Sequence, residues 1–304
     1  MKKLEGLIAA PFTPMHPDGS LNPGMVPEYY SLLKRNNVTG AFVNGSTGEG
    51  VSLTQKEKMT NLTEWAKCFK SDASIPVINL VGGTSYQECI ENAVFSKEQG
   101  ISAIALLAPY YFKPPSTGHL AEFCARVSEA VPEMPVYFYH IPVLTGCYLP
   151  MIDFLEKVDV MIPNFAGIKY THEDFMDFLS CLNYKNGKYD ILWGRDECML
   201  SALVLGAKGS IGSTFNYAAP VYHKLIDAYE NGQFVEARRY QQISIDMIRL
   251  LGKYGGIATG KAYMRYIGYD LGKFRSPVFN MTEEAYKEFC TDVKGLSMEE
   301  LFSK

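Results

Sequence analysis

Eight short apolar segments recur through the first two-thirds of the chain, each rich in β-branched and aromatic residues. Each segment is too short and too β-prone to be a core helix. Because the segments stay apolar along their length, they indicate strands buried on both faces, as in a parallel sheet covered by helices. The predicted strands lie within residues 6–14, 40–48, 75–83, 102–111, 134–142, 165–171, 189–197 and 209–217.

The segments between the predicted strands have the periodicity of helices. The two clearest each begin with a capping box, in which a Ser or Thr is followed three residues later by Glu. These helices are residues 54–70, with Thr54 and Glu57, and residues 85–99, with Ser85 and Glu88. Gly100 is expected to end the second of them.

Eight strand–helix units in 304 residues predict a (β/α)8 TIM barrel. The competing fold is a doubly wound open sheet, which usually carries a G-x-G-x-x-G turn after its first strand. Residues 6–20 contain no such turn, so the barrel is the favoured fold.

The chain continues well beyond the single helix that a minimal barrel needs after its eighth strand. Glycines and a proline divide this part into helical segments, which predict a C-terminal helical extension packed beside the barrel. The segments are residues 219–231, 233–251, 258–269 and 282–304, with breaks at Gly252, Gly255, Gly256 and Pro277. Residues 1–218 then hold the barrel strands and most barrel helices, and residues 219–304 hold the last barrel helix and the extension, in one structural unit.

Charge and hydropathy exclude two classes of partner. The formal net charge is −4 and the chain has no basic cluster, so nucleic acid is not an expected partner. Apolar runs fall short of the roughly 20 residues that span a bilayer, so no membrane span is expected. The N-terminal apolar run is short and meets Pro11 and Pro14, which favours a first strand over a signal peptide and predicts a cytoplasmic protein.

The cysteine and histidine spacings do not favour a metal site. The seven cysteines are scattered and never form C-x-x-C, and the five histidines form no H-x-x-x-H pair. Structural zinc needs paired ligands at short spacing. We therefore expect reduced thiols and no metal in the chemistry.

Polar residues concentrate where a barrel places its active site, at the carboxyl ends of the strands. They follow the second, fifth, sixth, seventh and eighth predicted strands, at residues 45–49, 139–140, 169–171, 194–197 and 212–214.

Lys169 is the sharpest candidate among them. Period-two alternation puts Gly167, Lys169 and Thr171 on one face of the sixth strand, with Ile168 and Tyr170 on the other. If the first set points inward, the amine lies inside the barrel, with Gly167 leaving room beside it. Desolvation would then lower the pKa of the lysine and make it nucleophilic. The alternative is a lysine that extends to solvent from the strand end, or one paired with a carboxylate.

Tyr139 is the candidate proton carrier. It shares a face of the fifth strand with Tyr137 and Ile141, while His140 lies on the opposite face and is expected to be structural. A phenol beside a protonated amine or an iminium can shuttle protons. The alternative is a core aromatic residue whose hydroxyl is hydrogen-bonded.

Two polar groups are candidates for substrate binding. Ser46 and Thr47, in a glycine-rich stretch, offer hydroxyls and backbone N–H groups suited to a carboxylate. The alternative is a plain glycine turn in which one of them caps a helix. Asp196 and Glu197 suit a polyhydroxylated substrate as acceptors, and the alternative for Glu197 is first-turn charge at a helix N-terminus.

Taken together, these motifs resemble the dihydrodipicolinate synthase/N-acetylneuraminate lyase family, and the likeness covers essentially the whole chain. The most specific motifs are GSTGEG at 45–50, YHIPVLTG at 139–146, GIKYT at 167–171, GRDE at 194–197 and GSIGSTFNY at 209–217. The resemblance implies a barrel enzyme with Lys169 as the Schiff-base nucleophile and Tyr139 as the proton shuttle.

One departure separates the branches of the family. The synthases carry an arginine after the strand-five tyrosine, in a motif like Y-N-V-P-x-R-T, to bind a second carboxylate. Leu144 stands at that position here and cannot bind a carboxylate. The I-P-x-L-T-G stretch, the Asp-Glu pair and G-S-T-F-N resemble the lyases instead. The resemblance thus implies cleavage of N-acetylneuraminate (sialic acid) to N-acetylmannosamine and pyruvate.

The resemblance also implies roles for the remaining residues. Ser46 and Thr47, with their backbone N–H groups, would hold the carboxylate of the sugar acid. The residues that would bind the sugar are Thr171, Gly194, Asp196, Glu197 and Ser213. Because the imine supplies the electrophile, neither a metal nor a dissociable cofactor is expected.

Several alternatives remain open at the level of the sequence. Another 2-keto-3-deoxy sugar acid aldolase of the family would share Lys169 and Tyr139, and a catalytically silent sugar-acid-binding protein is the alternative from a different class. Arg195 has no assigned role and can alter the pocket for the sugar tail. The family is usually tetrameric, so a homotetramer is expected, with Tyr110 or Tyr111 as a candidate for contact with a neighbouring subunit.

Overall fold

The computed structural model describes residues 3–304 and contains a closed barrel of eight parallel strands, in which the last strand pairs with the first. The predicted (β/α)8 fold is therefore confirmed. The strands are β1 (Gly6–Ala9), β2 (Gly40–Val43), β3 (Val77–Leu80), β4 (Ala103–Leu107), β5 (Val136–His140), β6 (Phe165–Tyr170), β7 (Asp190–Trp193) and β8 (Gly209–Gly212).

Helices surround the barrel and continue beyond it. They are α1 (Val26–Arg35), α2 (Gln55–Ser71), α3 (Tyr86–Gln99), α4 (Thr117–Ser128), α5 (Pro142–Thr145), α6 (Met151–Met161), α7 (Phe175–Asn183), α8 (Met199–Leu205), α9 (Phe215–Glu230), α10 (Phe234–Lys253), α11 (Thr259–Tyr266) and α12 (Glu283–Gly295). Within residues 3–304, every helix is too short or too polar to cross a membrane.

Two hydrophobic cores lie on the two sides of the strands, because alternate residues of a strand point in opposite directions. Phe42, Tyr137 and Tyr139 belong to the core inside the barrel. Phe138 and Ile168 belong to the core between the strands and the helices. The alternation predicted for the fifth and sixth strands is therefore confirmed.

Helix ends follow the local sequence closely. Thr54 and Glu57 form the predicted capping box, with both reciprocal hydrogen bonds present. Ser85 makes half of its predicted box, because its hydroxyl accepts a hydrogen bond from the backbone N–H of Glu88. Gly100 ends α3 in the left-handed conformation, as expected.

The eighth strand, β8, lies at the start of its predicted segment, 209–217, and Phe215 already begins α9. Two predicted helix boundaries are wrong. Gly252 lies inside α10 rather than at its end, since the chain turns only at Gly255 and Gly256, both with positive φ. The last predicted helix, 282–304, stops at Gly295, and Ser297 follows in the left-handed conformation.

The C-terminal helices share the outer core of the barrel. Phe289 of α12 is fully buried, and its ring lies 4.8 Å from that of Tyr263 in α11, centroid to centroid. The ring of Tyr263 in turn stacks on Tyr217 of α9 at 4.6 Å. A continuous line of aromatic contacts therefore joins α12 to the helix that follows β8.

We predict that Phe289→Ala lowers the free energy of unfolding by about 3–5 kcal/mol, because it leaves a cavity in this shared core. Urea denaturation followed by circular dichroism measures the change. The control is Val160→Ala on α6, where the side chain is 84% exposed and the change should stay within about 0.5 kcal/mol. Equal stabilities for the two variants would contradict a shared core.

Candidate active site

Pairing between β5 and β6 places Tyr139 directly beside Lys169. The lysine points into the barrel and is only 5% exposed. Its Nζ lies 4.1 Å from the ring centroid of Tyr139 and 4.3 Å from that of Phe42. The structure therefore rejects the alternative in which this lysine extends to solvent.

Burial sets the chemistry of this amine. Desolvation lowers the pKa of Lys169 to about 7, although the nearby charge of Asp196 acts in the opposite direction. At a pKa near 7, a substantial fraction of the lysine is the neutral amine at neutral pH. This is the form that attacks a carbonyl carbon.

Gly167 has a different role from the one predicted. A Cβ at this position would overlap the carbonyl oxygen of Asp190 on β7. Glycine is therefore required for close approach of the neighbouring strand, and the space beside it belongs to the β7 backbone rather than to the Lys169 amine.

Tyr139 lies among hydroxyl groups. Burial raises the pKa of its phenol to about 12, and the Ser46 and Thr171 hydroxyls beside it act against this rise. The Oγ1 atom of Thr171 is buried without a hydrogen-bond partner among residues 3–304. A Cβ on Gly194 would overlap this oxygen, so glycine leaves the space that the Thr171 hydroxyl occupies at the barrel mouth, the carboxyl-terminal end of the strands.

Residues 44–50, here called the β2 loop, contain the two hydroxyls predicted to bind a carboxylate. Ser46 is half-buried and Thr47 is buried. Neither caps α2, whose N-cap is Thr54, so the simple capping alternative is wrong. Asn44 and Glu49 both have positive φ, which shows that the loop has a defined and uncommon backbone rather than a plain glycine turn.

Asp196 is held by the residues that follow β8. One of its carboxylate oxygens accepts hydrogen bonds from the N–H of Thr214 at 3.0 Å and from its hydroxyl at 2.6 Å. Burial raises the pKa of Asp196 to about 6. The other oxygen lies where a Cβ on Gly212 would be. Ser213, the next residue in the chain, is half-buried.

Arg195, whose role was open, bridges two carboxylates at the barrel mouth. Its Nη2 lies 2.5 Å from Oε1 of Glu173, and its Nη1 lies 3.4 Å from Oε1 of Glu197. Arg195 therefore orients Glu197, which lies two positions further along the chain. His140, by contrast, packs against Tyr170 outside the barrel, and burial lowers its pKa to about 3, which fits the predicted structural role.

Residues that the sequence did not identify complete the site. The hydroxyls of Tyr222 and Thr214 are hydrogen-bonded at 2.7 Å, and Gln241 of α10 donates to the backbone carbonyl of Asp196. Lys261 of α11 forms a buried ion pair with Glu49 of the β2 loop. Of the two residues in this pair, only Glu49 lies in one of the family motifs, GSTGEG. No local pattern indicates its partner Lys261, which lies 212 residues further along the chain.

A (β/α)8 barrel with a buried amine beside a phenol at its mouth has the architecture of a Schiff-base aldolase. The chain belongs to the dihydrodipicolinate synthetase family, whose sequence profile matches residues 3–296. The resemblance found in the sequence motifs is thus confirmed.

Three relatives that the chain matches over nearly their full length are N-acetylneuraminate lyases. The N-acetylneuraminate lyase of Gallus gallus is 37% identical and covers 93% of each chain. The Homo sapiens N-acetylneuraminate lyase is 36% identical, covering 97% of this chain and 92% of its own. Among solved structures, the N-acetylneuraminate lyase of Proteus mirabilis is 34% identical, with a TM-score of 0.94 and coverage of 97% and 99%.

We predict that Lys169 reacts with acetic anhydride, a small acylating reagent that does not itself titrate in this range, at half its maximal rate near pH 7. The neutral amine is the reactive form, and its fraction rises as the pH passes the pKa. Lys253 is the control, because its hydrogen bond to Asp292 raises its pKa and its rate should still be rising above about pH 9. Peptide mass spectrometry measures both sites. Parallel pH profiles would contradict a lowered pKa for Lys169.

Proposed function

We propose that the protein is a class I aldolase that cleaves N-acetylneuraminate reversibly to N-acetylmannosamine and pyruvate through a Schiff base on Lys169. The observation that carries the proposal is the buried amine of Lys169, with its pKa lowered to about 7, against the ring of Tyr139. The names of the full-length relatives support the choice of substrate.

Formation of the Schiff base begins the proposed reaction. Ser46 and Thr47 hold the carboxylate of the open-chain sugar acid, and neutral Lys169 attacks its C2 ketone. The Tyr139 phenol is protonated at rest, since its pKa is raised to about 12. It donates that proton as water leaves the carbinolamine, and the iminium on Lys169 then stabilises the phenolate.

Cleavage uses the same two residues. Tyr139 takes the proton of the C4 hydroxyl, directly or through the substrate carboxylate, while the C3–C4 bond breaks. The bonding electrons move into the iminium, which becomes an enamine, and N-acetylmannosamine leaves. Protonation at C3 and hydrolysis of the imine release pyruvate and regenerate Lys169. Because the iminium is the electron sink, we propose that the reaction uses neither a metal nor a dissociable cofactor.

The sugar tail is proposed to bind Thr171, Gly194, Asp196, Glu197 and Ser213. Two features support this assignment: the buried Thr171 oxygen without a partner, and the second carboxylate oxygen of Asp196, which Thr214 leaves free. Groups of this kind distinguish hydroxylated substrates because a missing hydroxyl leaves them unpaired.

Leu144 supports a lyase rather than a synthase. It lies in α5, directly after β5, at the position where the synthases carry an arginine. An alkyl side chain offers no donor to a second carboxylate. A dicarboxylic second substrate therefore has no partner at this position.

We also propose that the protein is a cytoplasmic homotetramer. Tyr111 and Phe112, which follow β4, are respectively 76% and 87% exposed, and Tyr110 beside them is also exposed. Adjacent exposed aromatic residues favour a protein interface. Tyr111 and Phe112 are therefore the proposed contact with a neighbouring subunit.

We expect the wild-type protein to release pyruvate from N-acetylneuraminate and Lys169→Ala to release none. Tyr139→Phe should lower kcat by about 10²–10⁴-fold, because proton transfer is lost while the amine remains. A coupled pyruvate assay measures both. The control is Lys67→Ala on the exposed surface of α2, which should retain wild-type activity.

The remaining outcomes separate the alternatives. Release of pyruvate only from a different 2-keto-3-deoxy sugar acid would reject sialic acid and keep the aldolase. Failure of borohydride to trap pyruvate on the wild-type protein would reject the aldolase and favour a sugar-acid-binding protein.

A further inference from the structure

The β2 loop is tied to the C-terminal extension by a buried ion pair, in which Glu49 and Lys261 are 2% and 3% exposed at their side chains. We propose that Lys261 is a positioning residue: it fixes the β2 loop so that Ser46 and Thr47 can bind the substrate carboxylate. The inference rests on the proposed function and assigns the C-terminal extension a part in substrate binding.

The backbone of Glu49 needs such a partner. Its φ is +56°, in the left-handed region that is uncommon for residues other than glycine, asparagine and aspartate. A residue held in this region costs free energy and persists where its surroundings fix it. The next residue, Gly50, cannot carry a Cβ because it would overlap the carbonyl of Asn44. The loop therefore closes tightly on itself at the position where Glu49 is anchored.

Both oxygens of the Glu49 carboxylate are bound by the extension. Oε1 lies 2.8 Å from Nζ of Lys261, and Oε2 accepts a hydrogen bond of 2.8 Å from the backbone N–H of Arg275. Lys261 also donates to the carbonyl of Lys273 at 3.1 Å and lies over the ring of Phe274. A buried pair with these additional partners loses much of its stability when either charge is removed.

The same part of the extension also fixes the start of α2, where the β2 loop leads. The Arg275 guanidinium forms a bidentate ion pair with Glu57, at 2.6 and 2.8 Å. Glu57 is the third residue of α2 and belongs to its capping box. Residues 261–275 therefore hold both the β2 loop and the helix that follows it.

A short connection links the anchored residue to the binding hydroxyls. The N–H of Glu49 donates to the carbonyl oxygen of Ser46 at 3.2 Å, and the N–H of Gly50 donates to that of Gly45 at 3.1 Å. A shift of Glu49 therefore moves the backbone of Ser46 directly. Lys261 is hydrogen-bonded to Glu49 and Lys273 and not to Ser46 or Thr47, so it is not a catalytic residue and acts through Glu49.

The test compares trapping of pyruvate and of pyruvamide, its uncharged isostere, on Lys169 with borohydride. Lys261→Met should raise the half-saturating pyruvate concentration by about tenfold, because small displacements of binding groups have large effects. Trapping of pyruvamide should change by less than about twofold, since it lacks the carboxylate. The double variant Glu49→Gln, Lys261→Met removes both charges, so it leaves no buried unpaired ion, and it should show the same selective loss for pyruvate.

Val293→Ala is the matched control. It removes buried volume from α12 without touching the β2 loop, so it should lower stability and leave the pyruvate dependence unchanged. Circular dichroism verifies that each variant is folded. A folded Lys261 variant with wild-type pyruvate dependence would overturn the proposal, as would an equal shift in Val293→Ala. A wild-type protein that traps no pyruvate would instead reject the proposed function, and the inference with it.

Discussion

Removing an ammonium group from water costs free energy, and in this barrel that desolvation destabilises the protonated form of Lys169. The effective penalty for a buried ion is roughly several kcal/mol. Two aromatic faces, of Phe42 and Tyr139, replace part of the lost hydration. The balance lowers the pKa to about 7 and leaves both protonation states populated at neutral pH. The reactivity of the site depends on this balance, and the inward direction of Lys169 on β6 maintains it.

The barrel and the extension contribute different parts of the site. Strand pairing alone places Lys169 beside Tyr139. The groups around them lie on loops, which need support from outside the barrel. Thr214, directly before α9, and Gln241 of α10 hold Asp196, and Lys261 of α11 holds Glu49. The C-terminal helices are therefore connected to the two sides of the barrel mouth at which a substrate carboxylate and a sugar tail are proposed to bind.

The sequence predicted the features that arise from local periodicity, and it missed those that arise from distant contacts. Alternation along β5 and β6 predicted which residues share a face with Tyr139 and with Lys169, because a strand has only two faces, and the structure shows that both faces point inward. The Glu49–Lys261 pair joins residues 212 positions apart, and neither has a local pattern that indicates the other. One helix end was wrong because a single glycine lowers helix propensity without ending a helix: Gly252 stays within α10, and the chain turns only at Gly255 and Gly256.

A crystal structure of the protein soaked with pyruvate would test the central claim most directly. We predict continuous electron density from Nζ of Lys169 to C2 of pyruvate, with the carboxylate against the hydroxyls of Ser46 and Thr47. The ring of Tyr139 should remain beside the new bond. Pyruvate bound without a covalent bond, or bound away from Lys169 while the lysine stays free, would contradict the claim that this buried amine is the nucleophile.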